Sequence, residues 1–264
     1  MTLSCVIMTK NNTQTIRYAL ESVVEWVDEV VIVDCGSTDD TLTIARKYTS
    51  RILYQEFTSF SRQRNFGLAQ CTSDYVMFLD SDEVVGENFP ALRNYLSCGY
   101  QTLSLPRYNL LSLDPPEYVI TKHHYRNWQP RVIRNNGITR YGDDVVHEKL
   151  IQYRPRLHCS ITHLFHLDYL IHNYYARKQK VDFYEKLAPH AGYPEYYLFE
   201  DYPYHTALTL ERPAEKVLTL LQSDKALQQY TYPSHRAPLT QMAQYLRWQG
   251  YKTLTRLRAM LHKS

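Results

Sequence analysis

Two aspartates one residue apart occur in the segment Asp80-Ser81-Asp82, directly after an apolar run at residues 75–79. Carboxylate oxygens are the ligands that Mg2+ and Mn2+ prefer, and such ions readily bridge a carboxylate to phosphates. In a pair with this spacing, one carboxylate can accept from a ligand hydroxyl while the other binds the ion. Acidic turns are common on protein surfaces, but the apolar strand in front of this pair directs it towards a crevice. The pattern therefore favours a ligand site over a plain loop.

A third carboxylate, Asp34, follows the apolar run at residues 30–33. In nucleotide-binding α/β folds an acidic residue at such a strand end accepts from a ribose hydroxyl, and it can also accept from the N–H of a base. The alternative is that Asp34 caps the next helix, but Ser37, Thr38 and Asp39 are better placed for capping. A ligand contact is the favoured interpretation.

Two arginines, Arg62 and Arg64, begin a predicted helix beside Asn65. A guanidinium fork suits a diphosphate or the carbonyl of a base. From the helix pattern alone, however, we expect both side chains to lie on a solvated face.

The segment around Glu148 contains several groups that suit proton transfer. Glu148 follows His147, and Asp143 and Asp144 lie a few residues earlier. A carboxylate beside a metal–diphosphate site can act as general base towards a hydroxyl. All three carboxylates are candidates, and Glu148 is preferred.

Two histidines, His163 and His166, lie near the end of a predicted apolar strand. A neutral imidazole there could complete the shell of a metal ion. A single histidine in such a strand is more often a packed core residue, so the position of His163 alone does not decide between the two.

The first hundred residues must form the elements that hold these groups. Compact apolar runs predict strands at 3–8, 30–33, 51–54 and 75–79, and helical periodicity predicts helices at 16–27, 41–48 and 60–69. This alternation is typical of a parallel sheet in an α/β fold. Ligands of such sheets bind beyond the carboxyl ends of the strands, which is where the polar residues fall.

Beyond residue 100 the pattern changes. Strands are predicted at 102–113, 118–125, 129–134 and 156–165, and helical periodicity dominates after residue 168. We therefore expect a domain over residues 1–166, with halves at 1–100 and 101–166, followed by a helical C-terminal extension over residues 167–264.

The composition excludes several classes of protein. A formal net charge of +3 on 264 residues is too small to indicate nucleic-acid binding. Five scattered cysteines without a CxxC pair indicate neither a zinc site nor a disulfide framework. Since the sequence shows no signal-peptide pattern and no apolar run of transmembrane length, we expect a cytoplasmic protein. The 24 tyrosines suit stacking on sugar rings, although ordinary packing is the simpler explanation.

The last segment, residues 244–264, is basic and contains spaced leucines. It is either an amphipathic helix on the surface of an anionic membrane, close to a lipid-linked molecule, or a docked helix with a solvated basic face. Both interpretations remain open.

Four segments, in this order and spacing, resemble the family 2 glycosyltransferases. They lie at residues 6–11, 26–39, 61–65 and 78–83. Val146-His147-Glu148 and the later His163 further resemble the bacterial lipopolysaccharide-core β-glucosyltransferase type. The resemblance implies a GT-A fold, in which a Rossmann-like nucleotide-binding half is joined to a mixed sheet that helps to bind the acceptor.

The resemblance also implies a role for each matching residue. In the donor site, Thr9 and Asp34 would hold the nucleotide base, Arg64 would lie near the base or the diphosphate, Asp80 would contact the ribose, and Asn11 and Ser81 would complete the site. Asp82 would bind Mn2+ or Mg2+ together with His163. Glu148 would be the catalytic base.

The family implies an inverting, metal-dependent enzyme that moves a sugar from a nucleoside-diphosphate sugar, of the UDP type, to a hydroxyl of a glycan or glycolipid. One alternative is a nucleotidyltransferase, which would require a glycine-rich phosphate loop near the N-terminus. Residues 8–13 contain no glycine, which argues against this alternative. The other is a non-catalytic protein that binds sugar nucleotides or carbohydrates, and such a protein would not need Glu148 as a base.

Overall fold

The computed structural model describes residues 1–121, 123–124, 127–202, 205–210, 215–224 and 227. Thirteen strands lie in these ranges: β1 (Leu3–Thr9), β2 (Glu29–Asp34), β3 (Ile52–Tyr54), β4 (Tyr75–Asp80), β5 (Glu83–Val85), β6 (Thr102–Leu113), β7 (Pro116–Ile120), β8 (Trp128–Arg134), β9 (Arg140–Tyr141), β10 (Leu150–Ile151), β11 (Arg156–His158), β12 (Leu164–His166) and β13 (Thr206–Thr209). The same ranges contain eight α-helices: α1 (Ile16–Val23), α2 (Thr41–Ala45), α3 (Phe60–Ala69), α4 (Arg93–Leu96), α5 (Asp168–Ile171), α6 (Tyr174–Leu187), α7 (Pro194–Tyr197) and α8 (Glu215–Gln222).

Eleven of these strands form one mixed sheet, whose main path is β13-β7-β6-β8-β4-β1-β2-β3. The neighbours β4, β1, β2 and β3 are parallel, as the alternation of strands and helices predicted. Beyond β4 the sheet becomes antiparallel, because β8 runs against both β4 and β6. The prediction of an α/β fold with a mixed sheet is confirmed.

Both faces of the parallel strands are buried. In β1, Cys5 and Ile7 pack with Leu20 of α1 on one face, whereas Val6 packs with a second cluster on the other face. The compact apolar runs of the sequence reflect this burial from two sides.

Helix α3 lies close against the parallel strands. A Cβ atom on Gly67 would come within 2.6 Å of Cγ1 of Val6, so this position accepts no larger side chain without movement. Ser59 caps the helix by accepting from the backbone N–H of Arg62. The expectation of a solvated face holds for Arg62 but is wrong for Arg64, which is 6% exposed because the close packing turns its side of the helix inward.

The strand predicted at 156–165 is two strands. β11 pairs with residues 102–104 of β6, and β12 pairs with residues 107–109. The five residues between β11 and β12 lie opposite only two residues of β6, so this segment must leave the sheet. The sequence also did not predict β13, which lies in the predicted helical extension and pairs with β7.

The division of the chain at residue 166 stays a prediction. Leu167 and Leu170 share a buried cluster with Val84 and Leu110, so α5 packs on the sheet that the preceding residues form. None of the helices in the described ranges is long and apolar enough to span a bilayer.

Candidate active site

The polar ends of the parallel strands lie side by side. The register places Thr9 opposite Asp34 and Met8 opposite Asp80, so both aspartates reach the same edge of the sheet. The chain then turns through Ser81 and Asp82 into β5. The sequence predicted that these polar residues meet at one edge, and open α/β sheets bind their ligands at such an edge.

On one side of this edge, arginines pair with two carboxylates. Asp80 accepts from Nη2 of Arg64 at 2.9 Å and from Nη2 of Arg131 at 2.5 Å. Glu83, which is fully buried, accepts from the same Arg131 at 2.5 Å and from Nη1 of Arg107 at 3.0 Å. The three arginines come from α3, β8 and β6, and a buried charge requires such partners to be tolerated. We refer to these five residues and Glu148 as the arginine side.

The arginines control the ionisation of Asp80. Burial alone would raise the pKa of its carboxyl group, but the charges of Arg131, Arg64 and Arg107 hold that pKa well below its usual range. Asp80 therefore remains a carboxylate, with an arginine on each oxygen.

Glu148 joins the arginine side through Arg64, whose Nε donates to its carboxylate. Burial alone would lower the pKa of Arg64, whereas the charges of Glu148 and Asp80 raise it well above its usual value. The two other candidate bases, Asp143 and Asp144, are exposed, and Asp144 accepts from the backbone N–H of Lys149. Of the three carboxylates, the structure brings Glu148 to the site, although its role as base stays a prediction.

On the other side of the edge, Asp82 faces a histidine. Oδ2 of Asp82 lies 3.3 Å from Nε2 of His166, and Nδ1 of His166 lies 2.9 Å from Oδ1 of Asn109. Nδ1 of His166 can therefore donate to the amide oxygen of Asn109, while Nε2 faces Asp82. We refer to Asp82, His166 and Asn109 as the histidine side.

Nε2 of His166 and the carboxylate of Asp82 lie close enough together to act as joint ligands of a cation. Among the described residues no three His, Cys, Asp or Glu side chains form a metal-binding group. Proteins often hold Mg2+ through one or two side chains and substrate phosphates, so these two residues could hold such an ion only together with phosphate ligands. Burial alone would raise the pKa of Asp82. The charge of His166, the hydrogen bond that His166 makes with Asp82, and the charge of Lys180 outweigh burial and hold this pKa below its usual value.

His163, the histidine predicted as metal ligand, lies elsewhere. Its ring packs on Tyr108 with centroids 5.2 Å apart, and burial lowers its pKa. Within the described residues, His163 forms no ion pair or hydrogen bond with Asp82. Its role as ligand stays an untested prediction, and the structure brings His166 to Asp82 instead.

Behind Asp82 and His166 lies a further buried carboxylate, Asp168. Its Oδ1 accepts from Nζ of Lys180 at 3.0 Å and lies 2.8 Å from Nδ1 of His172. Burial raises the pKa of Asp168, but Lys180 and the two histidines hold it well below its usual range. The sequence pattern gave no sign of this pair, because Asp168 and Lys180 lie twelve residues apart on different helices.

The predicted donor residues near β1 and β2 make mainly local contacts. The carboxylate of Asp34 accepts from the backbone N–H groups of Gly36 and Ser37 and from the Ser37 hydroxyl. Oδ1 of Asn11 accepts from the backbone N–H of Thr38 at 2.8 Å, and Thr9 donates to Asn12 at 3.1 Å. These bonds shape the two loops at the edge of the sheet.

Contacts of these residues with a nucleotide stay predictions. Ser81 is buried in the turn between β4 and β5, beside both aspartates, and its predicted place in the donor site is likewise untested.

Sequence reasoning missed Arg107 and Arg131. Both lie within strands, where a charged residue among apolar neighbours signals a buried ionic partner. That signal was present in the sequence, but it did not identify Glu83 and Asp80 as the partners.

Comparison with known proteins matches one region of the chain to a known family. Residues 4–105 match the family model described as "Glycosyl transferase family 2". These residues thus form a family 2 glycosyltransferase domain, which confirms the predicted family and, with the observed mixed sheet, the predicted GT-A fold.

Individual relatives share part of this region. An uncharacterized glycosyltransferase of Rickettsia conorii is 36% identical over 81 residues, which cover 31% of this chain and 29% of the relative. The lipopolysaccharide core biosynthesis glycosyltransferase LpsC of Rhizobium meliloti is 33% identical over 86 residues, covering 31% of this chain and 32% of the relative. The matched region is therefore about three-tenths of the length of these curated relatives.

Among solved structures, S. aureus TarS is similar with a TM-score of 0.48 and 16% identity, over 76% of this chain and 42% of TarS.

Proposed function

We propose that this protein is an inverting glycosyltransferase that moves a sugar from a nucleoside-diphosphate sugar, of the UDP type, to a hydroxyl of a glycan or glycolipid. The observation that carries the proposal is the convergence of Asp82, His166, Asp80 and Glu148 at one edge of a family 2 domain. Similarity to a lipopolysaccharide core glycosyltransferase supports an acceptor of the lipopolysaccharide type.

Asp82 and His166 are the residues that would hold Mn2+ or Mg2+. A divalent ion bound there supplies positive charge to the leaving diphosphate. Two arginines hold the side chain of Asp80, which is 26% exposed. Its carboxylate can therefore also accept a hydrogen bond from a ribose hydroxyl.

Glu148 is the proposed general base. Its carboxylate takes the proton of the acceptor hydroxyl while that oxygen attacks the anomeric carbon from the face opposite the diphosphate. Arg64 fixes Glu148 and Asp80 relative to one another, because one guanidinium binds both. Such positioning is a main source of rate enhancement in transfer reactions.

The proposed membrane contact concerns residues 244–264, which lie outside the described residues. We propose it on sequence grounds alone, as one of the two interpretations of that basic segment.

A thermal-shift panel tests the donor part of this proposal. UDP, GDP, CMP and dTDP are each added with and without Mn2+ to the wild-type protein, to Asp82→Ala and to the exposed control Asp143→Ala. A ligand at one hundred times its dissociation constant adds roughly 2.7 kcal/mol to the free energy of unfolding. We expect UDP to stabilise the wild type and the control only with Mn2+, and not to stabilise Asp82→Ala.

Two outcomes would contradict the proposal. If no nucleoside diphosphate stabilises the wild type, the site does not bind such a donor. If UDP binds without metal and equally well to Asp82→Ala, the metal site is wrong. A protein that binds UDP-sugars but never releases UDP from them would instead support the non-catalytic alternative.

A further inference from the structure

An aromatic surface borders the arginine side. His147, which directly precedes Glu148 in the chain, packs its ring on Tyr193 with centroids 4.5 Å apart. Tyr193 lies 6.3 Å from the ring of His123, and His123 lies 6.3 Å from the ring of Tyr196. We refer to these four residues as the aromatic rim.

The aromatic rim returns to the arginine side at its other end. The hydroxyl of Tyr196 accepts from Arg107, which pairs with Glu83. Glu83 shares Arg131 with Asp80, and Asp80 shares Arg64 with Glu148. A continuous series of contacts therefore connects Tyr196 of the aromatic rim to Glu148, the proposed base, and His147 at the other end of the rim is the chain neighbour of Glu148.

Two members of the rim have a costly backbone conformation. His147 has φ 55° and Tyr193 has φ 43°, in the left-handed region that bulky side chains rarely adopt. Such strain in non-glycine residues concentrates at binding and active sites. Here the strained residues are in mutual contact, and His147 is further fixed by Nε2, which lies 2.8 Å from the carbonyl oxygen of Ala191.

Tyr193 remains partly exposed to solvent despite these contacts. It is 44% exposed, whereas Tyr196, Tyr197 and Tyr184 around it are more buried. An exposed aromatic face with polar groups at its border binds the C–H face of a sugar ring, because the ring is apolar on that face and carries hydroxyl groups at its edge. Glu195, whose Oε2 lies 3.3 Å from Nε2 of His123, supplies such a polar border.

We propose that the aromatic rim is the acceptor subsite, in which a pyranose ring of the acceptor stacks on Tyr193. This inference rests on the proposed function, and it names the residues that receive the acceptor. His147 packs on Tyr193 and directly precedes Glu148 in the chain, so the proposal requires that the hydroxyl groups of the stacked ring reach the carboxylate of Glu148. The proton passes from one of these hydroxyl groups to Glu148, the oxygen bonds to the anomeric carbon, and the diphosphate leaves with the bonding electrons.

Saturation-transfer NMR with simple sugars tests the subsite. The probes are the methyl pyranosides of glucose, galactose, mannose and N-acetylglucosamine, each added to the protein with UDP and Mn2+. The variants are Tyr193→Ala, Tyr193→Phe and, as control, Tyr175→Ala, which removes a tyrosine that is 75% exposed on α6. Since alanine at a positive φ can destabilise the loop, Tyr193→Asn is a second variant without the ring, and asparagine tolerates this conformation.

We expect at least one methyl pyranoside to bind the wild type, Tyr193→Phe and Tyr175→Ala with similar affinity. Tyr193→Ala and Tyr193→Asn should bind it about three- to tenfold more weakly. The thermal shift caused by UDP and Mn2+ should be the same in all of these proteins.

The inference is overturned if no methyl pyranoside binds the wild type, or if the two variants without the ring bind as tightly as the wild type. A different experimental outcome would contradict the proposed function. If UDP does not stabilise the wild type but sugar binding still depends on Tyr193, the rim is a carbohydrate site and the glycosyltransferase proposal is wrong.

Discussion

The carboxylates of the arginine side and of the histidine side have different partners. Asp80 has an arginine on each carboxylate oxygen, and Glu83 and Glu148 share the same set of guanidinium groups. Asp82, two residues further along, has His166 as its single ion-pair partner among the described residues. The carboxylates of the arginine side are therefore balanced by guanidinium groups of the protein, whereas Asp82 has no arginine among its ion-pair partners in the described residues.

The contrast separates the two aspartates of the Asp80-Ser81-Asp82 segment. Asp80 ends β4, where β8 and α3 each supply an arginine, while Asp82 lies in the following turn beside β12. We infer that the arginine side positions groups for the reaction and that the histidine side binds the ion.

The largest effect is expected from Glu148→Gln on the arginine side. Glutamine keeps an oxygen that accepts from Nε of Arg64, so donor binding should be unchanged, but it cannot take a proton. Loss of a general base costs about 10²- to 10⁴-fold in rate, measured as UDP release from a UDP-sugar with water or a methyl pyranoside as acceptor. Asp144→Asn is the matched control, and equal losses in both variants would count against Glu148 as the base.

A somewhat smaller effect is expected on stability from Glu83→Gln. This change removes a fully buried charge and leaves Arg107 and Arg131 with less compensation, which costs about 3–5 kcal/mol in the free energy of unfolding. The comparison variant is Arg17→Gln, which breaks the partly exposed pair with Glu21 and should cost at most about 1 kcal/mol. Urea unfolding measures both, and similar values would show that the arginine side isn't a buried ionic network.

The smallest effect is expected for Asp168, the buried carboxylate behind the histidine side, and it concerns how the stability of the protein depends on pH. The pKa of Asp168 is lower in the folded protein than its ordinary value of about 3.9. Its contribution to stability is therefore complete above about pH 4 and is lost as the pH falls from there through the folded-state pKa. Asp168→Asn should cost about 1.5–3 kcal/mol at pH 7, the range for hydrogen bonds to charged groups.

The difference in unfolding free energy between wild type and Asp168→Asn should then shrink as the pH falls below about 4. The exposed substitution Asp143→Asn serves as control over the same range. A difference that stays constant down to pH 2 would show that Asp168 gains no stability from its ionisation.

Much of the fold was predictable because strand and helix periodicity is local. The helix predicted at 60–69 and the strand predicted at 102–113 have those bounds in the structure. The edge at which Asp34 and Asp80 meet also follows from the pattern, since carboxyl ends of parallel strands lie together. The short strands β5 and β13 were missed because their pairing partners are distant in sequence.

The details of the site were less predictable for the same reason. Arg131 and Asp80 are 51 residues apart, and His166 and Asn109 are 57 apart. Residue types indicated that Asp80, Asp82 and Glu148 are chemically important, but not which cations accompany each of them. The choice between His163 and His166 depends on which of them lies beside Asp82, and a single sequence doesn't contain that information.

The most direct test of the difference between the two sides is the affinity for Mn2+ in the presence of UDP, followed by electron paramagnetic resonance of the free ion. The same substitution is made at both histidines, as His166→Phe and His163→Phe, so that each variant keeps an aromatic ring. We predict that His166→Phe weakens Mn2+ binding at least about tenfold, while His163→Phe binds like the wild type. If His163→Phe loses the ion and His166→Phe keeps it, or if neither change matters, the histidine side is not the metal site.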